Sequence, residues 1–208
     1  MHQKEGVGMT ESTKETNTES ALRKAFIKLM AAKSFRKMTV RDIATTAHVS
    51  RGTFYLHYVD KYAMLDAYED QLVTGIAQIF DTYSKTSWEV GSRVEDNVFY
   101  HMFVYLNRHK QMVQTLYRIP ESDVMRKMTA FITAEVARET VASVSSPDGK
   151  DIPLDYAQAI LVQNVSGIIT QWFQKAQPES PREIFAIFMN SRTLSPVDLT
   201  LLVQSNNQ

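Results

Sequence analysis

Arg51, Thr53, Tyr55 and His57 lie within one short stretch, and their side chains offer the hydrogen bonds that a phosphate-lined groove calls for. The planar fork of Arg51 fits guanine O6 and N7 or a phosphate, while Thr53, Tyr55 and His57 supply shorter donors at helical spacing. Gly52 removes a side chain where a backbone could approach DNA closely. Other chemistries lack residues. The 208-residue chain has no cysteine, which excludes disulfides, thiolate catalysis and cysteine-ligated metal. No glycine-rich phosphate loop, nucleophile elbow or paired-carboxylate arrangement appears, so no catalytic residue and no cofactor is expected and the chain does not read as an enzyme. The five histidines form no HxxxH or HExxH pair. His101 and His109, eight apart with Glu95 and Asp96 nearby, are a conceivable metal pair, but lone histidines on partly buried helices are more often structural, and no metal is expected.

The stretch that must position the groove chemistry runs from Thr39 to Lys61, TVRDIATTAHVSRGTFYLHYVDK. Thr39 is placed to cap a first helix whose Val40, Ile43, Ala44 and Ala47 share one apolar face. His48-Val49 is the turn. Ser50 caps a second helix, Arg51 to Tyr58, whose Phe54 points back toward Ile43 and Val49 and leaves Arg51, Thr53, Tyr55 and His57 outward. Arg41 and Lys61 flank this second helix at positions suited to reach phosphates. A solvated surface helix would show much the same polar face; the bracketing cations favour the groove-reading interpretation.

Net charge is zero, but its distribution is lopsided. Residues 18–61 hold nine cations against three acids, a net of +6, and the remainder is therefore −6. A basic head on an acidic body is drawn to phosphate at one end only.

The words MTVRDIA, VSRGTFYLHY and DKYAML, within residues 18–68, resemble the tetracycline-repressor (TetR) family of transcription regulators. Carried over position by position, the resemblance implies DNA contacts by Thr39, Arg41, Ser50, Arg51, Gly52, Thr53, Tyr55, His57 and Lys61. Two positions depart from the family's usual glycine. Ser34 can end a helix without strain, whereas His48 is expected to need a left-handed backbone that suits glycine better.

Residues 1–16 are polar and aperiodic and are expected to be a disordered tail; residues 17–61 are expected to form the helix-turn-helix domain, and residues 62–208 a helical regulatory and dimerisation domain. Thr16 and Glu19 can form a capping box at the start of a helix reaching Lys33, with Ala21, Leu22, Ala25, Phe26, Leu29 and Met30 buried. Asp60 caps a helix to about Tyr83, long enough that movement of its far end would tilt the reading helix. Further segments are expected over 91–108, 109–118, 121–145, 155–175 and from Ser180-Pro181 onward, with a short final helix after Pro196. Strand alternation is nowhere convincing, so the fold class is all-α. No apolar run approaches the ~20 residues of a membrane span, and with no signal peptide visible a cytoplasmic protein is expected.

Phe99, Phe103, Tyr105, Met112, Leu116, Tyr117, Met128 and Phe131, with Trp88, could line a small-molecule pocket, although apolar residues at helical spacing are usually plain core. The family resemblance gives the pocket its weight. It also implies a homodimer through helices at about 155–176 and 181–192, where Ala159 and Gly167 would permit close approach. The ending Trp172-Phe173 followed by Ser180-Pro181 is similar to a subgroup that includes regulators of dihydroxyacetone-kinase operons. The expectation is a sequence-specific repressor on a palindromic double-stranded DNA operator, released by a small-molecule effector. An activator of the same fold and a helical binding protein without DNA are the alternatives.

Overall fold

The computed structural model describes residues 17–83, 93–139, 153–194 and 197–198. Every regular element among them is helical. The chain divides into two compact units, Met1–Met64 and Leu65–Gln208.

The first unit packs three helices. In α1, Asn17–Ala32, the residues Leu22, Ala25 and Phe26 are buried. Thr16, and with it the expected capping box, lies outside the described residues. Ser34 is extended, with φ −67° and ψ 152°, and the chain passes through a single 3-10 turn, Phe35–Lys37. α2, Val40–Thr46, and α3, Arg51–His57, follow. Phe26, Phe35, Ile43 and Phe54 are shut off from solvent, and an edge-on contact joins the rings of Phe26 and Phe35. These four large side chains, from four segments, fix how α3 is held.

α4, Lys61–Thr82, starts in the first unit and continues into the second. Asp60 begins it as expected, its Oδ1 accepting from the backbone N–H groups of Tyr62 and Ala63 at 2.8 and 2.7 Å. At ~1.5 Å per residue the helix is about 33 Å long.

The second unit adds α5, Val98–Arg108; α6, Lys110–Tyr117; α7, Val124–Glu139; α8, Leu154–Gln174; and α9, Pro181–Ser191. Two helix starts differ from the sequence reading by more than one residue. α5 begins at Val98 rather than near Gly91, because Val94–Asp96 is a 3-10 turn and the Asn97 side chain caps α5 at the Phe99 N–H. α7 begins at Val124 rather than Glu121, because the N–H of Asp123 and the hydroxyl of Ser122 are bound by the carboxylate of Glu69 on α4. The ends of the expected segments over 91–92 and 140–145, and most of the short C-terminal helix, lie outside the described residues. α9 starts on a full capping box, Ser180 with Glu183, and carries Pro181 at its first position.

One cation organises the contact between α4 and α7. Lys127 Nζ lies 3.2 Å from Glu69 and 2.7 Å from Asp70, and also binds Asp66. Burial works against its charge, yet the carboxylates outweigh that and hold its pKa above the ordinary lysine value. Glu69 is only 3% exposed, so this is a nearly buried carboxylate satisfied by an ammonium, a hydroxyl and a backbone N–H. Nearby, Gly75 makes room for Tyr105, since a Cβ there would sit 2.1 Å from the tyrosine oxygen.

Candidate nucleic-acid interface

Both helices of the reading pair start on side-chain caps. Thr39 Oγ1 accepts from the Asp42 N–H at 3.2 Å, and Asp42 Oδ2 accepts in return from the Thr39 N–H at 2.9 Å. Lys33 stands 2.6 Å from the same carboxylate. That lysine, with the Thr39 donors behind it, holds the Asp42 pKa down to about 2. Ser50 Oγ accepts from the Thr53 N–H at 2.9 Å and pairs with the Thr53 hydroxyl at 2.8 Å. Between the helices, His48 adopts φ 56°, the left-handed conformation expected of it. Among the described residues it is the one non-glycine with positive φ.

Arg51, Gly52, Tyr55 and His57 are exposed on α3, and Thr53 is half-buried beneath its bond to Ser50. Arg51 Nη2 donates to the Tyr55 hydroxyl at 3.3 Å, with the guanidinium 5.9 Å from the ring centre. The pair thus presents a cation braced by an aromatic ring. His57 Nδ1 is 3.9 Å from a Glu19 carboxylate oxygen. Thr39 and Arg41 are exposed at the start of α2.

Lys61 is held within its own chain. Its position invites a phosphate contact, but its ammonium donates to the carbonyls of Phe35, Arg36 and Met38 at 2.9, 3.1 and 2.9 Å. It also lies 4.8 Å from the centre of the Phe35 ring and 5.2 Å from that of Tyr62. All three donors are spent inside the chain, so Lys61 fixes the link between α1 and α2.

Sequence reading passed over Leu56, Val59 and Tyr62, which are 86%, 78% and 53% exposed. For Leu56 the signal was available: helical angle alone sets it opposite the buried Phe54.

In the second unit, Phe99, Phe103, Met112, Leu116 and Met128 are buried, while Tyr105, Tyr117 and Phe131 are half-buried. Phe103 packs edge-on to Trp172 and Phe188, and Phe131 edge-on to Phe80. Five of the eight are therefore enclosed by their own chain, and three keep partial access to solvent. An open groove of about 710 Å³ lies on α7 and α8, lined by Met125, Thr129, Ala130, Thr133, Ser166 and Thr170 among others, and none of the eight borders it. Trp88 lies outside the described residues. His101 binds the Glu95 carbonyl at 2.6 Å and stacks on Tyr83; among the described residues no three potential ligands cluster as a metal site.

Residues 22–68 match the profile described as bacterial regulatory proteins, tetR family, and residues 96–193 match that of a transcriptional regulator C-terminal region. Together the matches span more than half the chain. The chain belongs to the TetR family. Both matched profiles are those of transcriptional regulators. Among curated relatives, an uncharacterised HTH-type transcriptional regulator of Bacillus subtilis, YxbF, is 29% identical over 69 residues, which cover 33% of this chain and 18% of that protein. The crystal structure of a TetR transcriptional regulator from Streptococcus agalactiae aligns with a TM-score of 0.55 at 19% identity, covering 84% of this TetR-family chain and 92% of the other, a likeness of fold. Among the described residues no helix is long and apolar enough to cross a membrane.

Proposed function

We propose that this TetR-family regulator is a homodimeric repressor that occupies a palindromic operator and leaves it when a small molecule binds the second unit. The observation that carries the DNA half is α3 itself: its Arg51, Gly52, Tyr55 and His57 are exposed while Phe54 anchors the opposite side at 0% exposure. Thr39, Arg41, Ser50 and Thr53 join them as contacts to base edges and backbone, with Arg51 the main base reader. The operator's place in the cell puts the protein in the cytoplasm.

The dimer reading rests on α8 and α9. Beyond Asp155, α8 carries no charged residue, and Tyr156, Ile160 and Ile187 are 64%, 62% and 44% exposed. A Cβ at Gly167 would meet nothing within 4 Å in its own chain, so the space left by this glycine suits a neighbouring helix. Two such faces meeting about a two-fold axis would set a pair of α3 helices to read half-sites one turn apart, about 34–36 Å. For the effector, the groove on α7 and α8 is open without repacking, whereas Phe99, Phe103, Met112, Leu116 and Met128, buried as they are, would first have to part. α4, continuous across the division of the chain, is the route by which a ligand-induced change would reach the reading head.

The test is selection of bound duplexes from a random pool, followed by titration of the enriched sequence at two salt concentrations and sedimentation of the free protein. A palindrome with half-sites one turn apart, bound by a dimer, is expected. Binding with no sequence enriched, or by a monomer, would overturn the proposal.

A further inference from the structure

The most exposed point of the reading helix is apolar. At ~100° per residue, Gly52 and Leu56 each lie about 160° around the α3 axis from the buried Phe54, so they form the line furthest from the core. Arg51 and Tyr55 flank this line on one side, and Thr53 and His57 on the other. Leu56 is 86% exposed, and a Cβ on Gly52 would meet within its own chain only Ser50 Oγ, at 3.5 Å. The fold does not need the missing side chain at Gly52. Its absence instead lets the helix sink closer to whatever α3 faces, and brings Leu56, one turn on, into contact first.

A helix in the major groove meets a floor of hydrogen-bond donors and acceptors, among which the C5 methyl of thymine is the one apolar group. A leucine pressed against polar base edges strips their water and returns no hydrogen bond, which is costly. Against a thymine methyl the same contact is favourable. We propose that Leu56 is a specificity-determining residue that selects thymine, through its methyl group, at one position in each half-site. The inference rests on the DNA-reading role of α3 given above.

The test uses the full chain and the duplex recovered by selection. Each thymine is replaced in turn by deoxyuridine, which lacks only the methyl, and affinities are measured for the natural protein and for Leu56→Ala. Since Leu56 is so exposed, Leu56→Ala should melt like the natural protein. At one position per half-site, uracil should weaken the natural protein roughly fourfold, about the factor carried by one buried methyl group, and roughly 15-fold when both half-sites are changed. Leu56→Ala should bind the thymine and uracil duplexes equally. A natural protein indifferent to uracil at every position overturns the inference and leaves the DNA-reading role standing, as does a Leu56→Ala variant that keeps the full thymine preference. Recovery of no preferred duplex overturns both.

Discussion

Replacing Lys61 by methionine separates two roles that its sequence position confounds. Methionine keeps most of the stem against Phe35 and Tyr62 but removes the ammonium, and three carbonyl groups of the link between α1 and α2 lose their donor. The bonds to Phe35 and Met38 are partly buried, while that to Arg36 is exposed and water can replace it. Hydrogen bonds from a charged donor contribute about 1.5–3 kcal/mol each, and partial access of water to the freed carbonyls brings the expected loss to about 2–4 kcal/mol. Urea unfolding followed by far-ultraviolet circular dichroism reads this. The companion measurement is the dependence of duplex affinity on salt under conditions where the variant is folded. Its slope should match that of the natural protein, because no phosphate contact has been removed. A variant within about 0.5 kcal/mol of the natural stability, with a salt slope shallower by about one, would refute the clamp and restore Lys61 as a phosphate contact.

Three further outcomes are expected. Asp42→Asn should destabilise the first unit at neutral pH; because the folded Asp42 has its pKa depressed to about 2, the natural protein's advantage should be full above about pH 4 and fade as pH drops toward 2, as melting across that range would show. His48→Gly should raise the melting temperature, since relief of a left-handed non-glycine residue, worth about 1–2 kcal/mol, exceeds the 0.4–1 kcal/mol that a glycine adds to the freedom of the unfolded chain. Lys127→Met should cost about 3 kcal/mol by leaving the Glu69 carboxylate nearly buried without its cation, and Lys127→Met combined with Glu69→Gln should cost less than the two separate losses added, in unfolding titrations.

What could be read from the sequence was mostly local. Thr39, Ser50, Asp60 and Ser180 announce helix starts because a cap needs only a short polar side chain and a backbone N–H two or three residues ahead. The left-handed turn at His48 was legible through the family resemblance, whose usual glycine at that position implies such a backbone. Lys61 was not, because its partners Phe35, Arg36 and Met38 lie 23 to 26 residues back and only folding brings their carbonyls together. Glu69 and Lys127 carry no local signal; that they meet, and that Glu69 is thereby buried, depends on how α7 docks on α4. The aromatic set around Phe103 read more readily as core than as pocket, and only the family resemblance gave the pocket weight, since periodicity reports which side of a helix is covered but not by what. Leu56 is the opposite case: it was passed over although helical angle alone sets it opposite the buried Phe54.

Lys127 makes a joint with a defined freedom. Asp66, Glu69 and Asp70 occupy one side of α4 on successive turns, and a single ammonium holds all three. An axial slide or a roll of α4 against α7 would carry these carboxylates away from the ammonium together, while a swing about that point would keep them within reach. The helix is pinned as a lever is pinned at its fulcrum. Motion of α4 against α7 is therefore resisted unequally: a swing about the ammonium keeps these ion pairs, and sliding or turning must first break a nearly buried one.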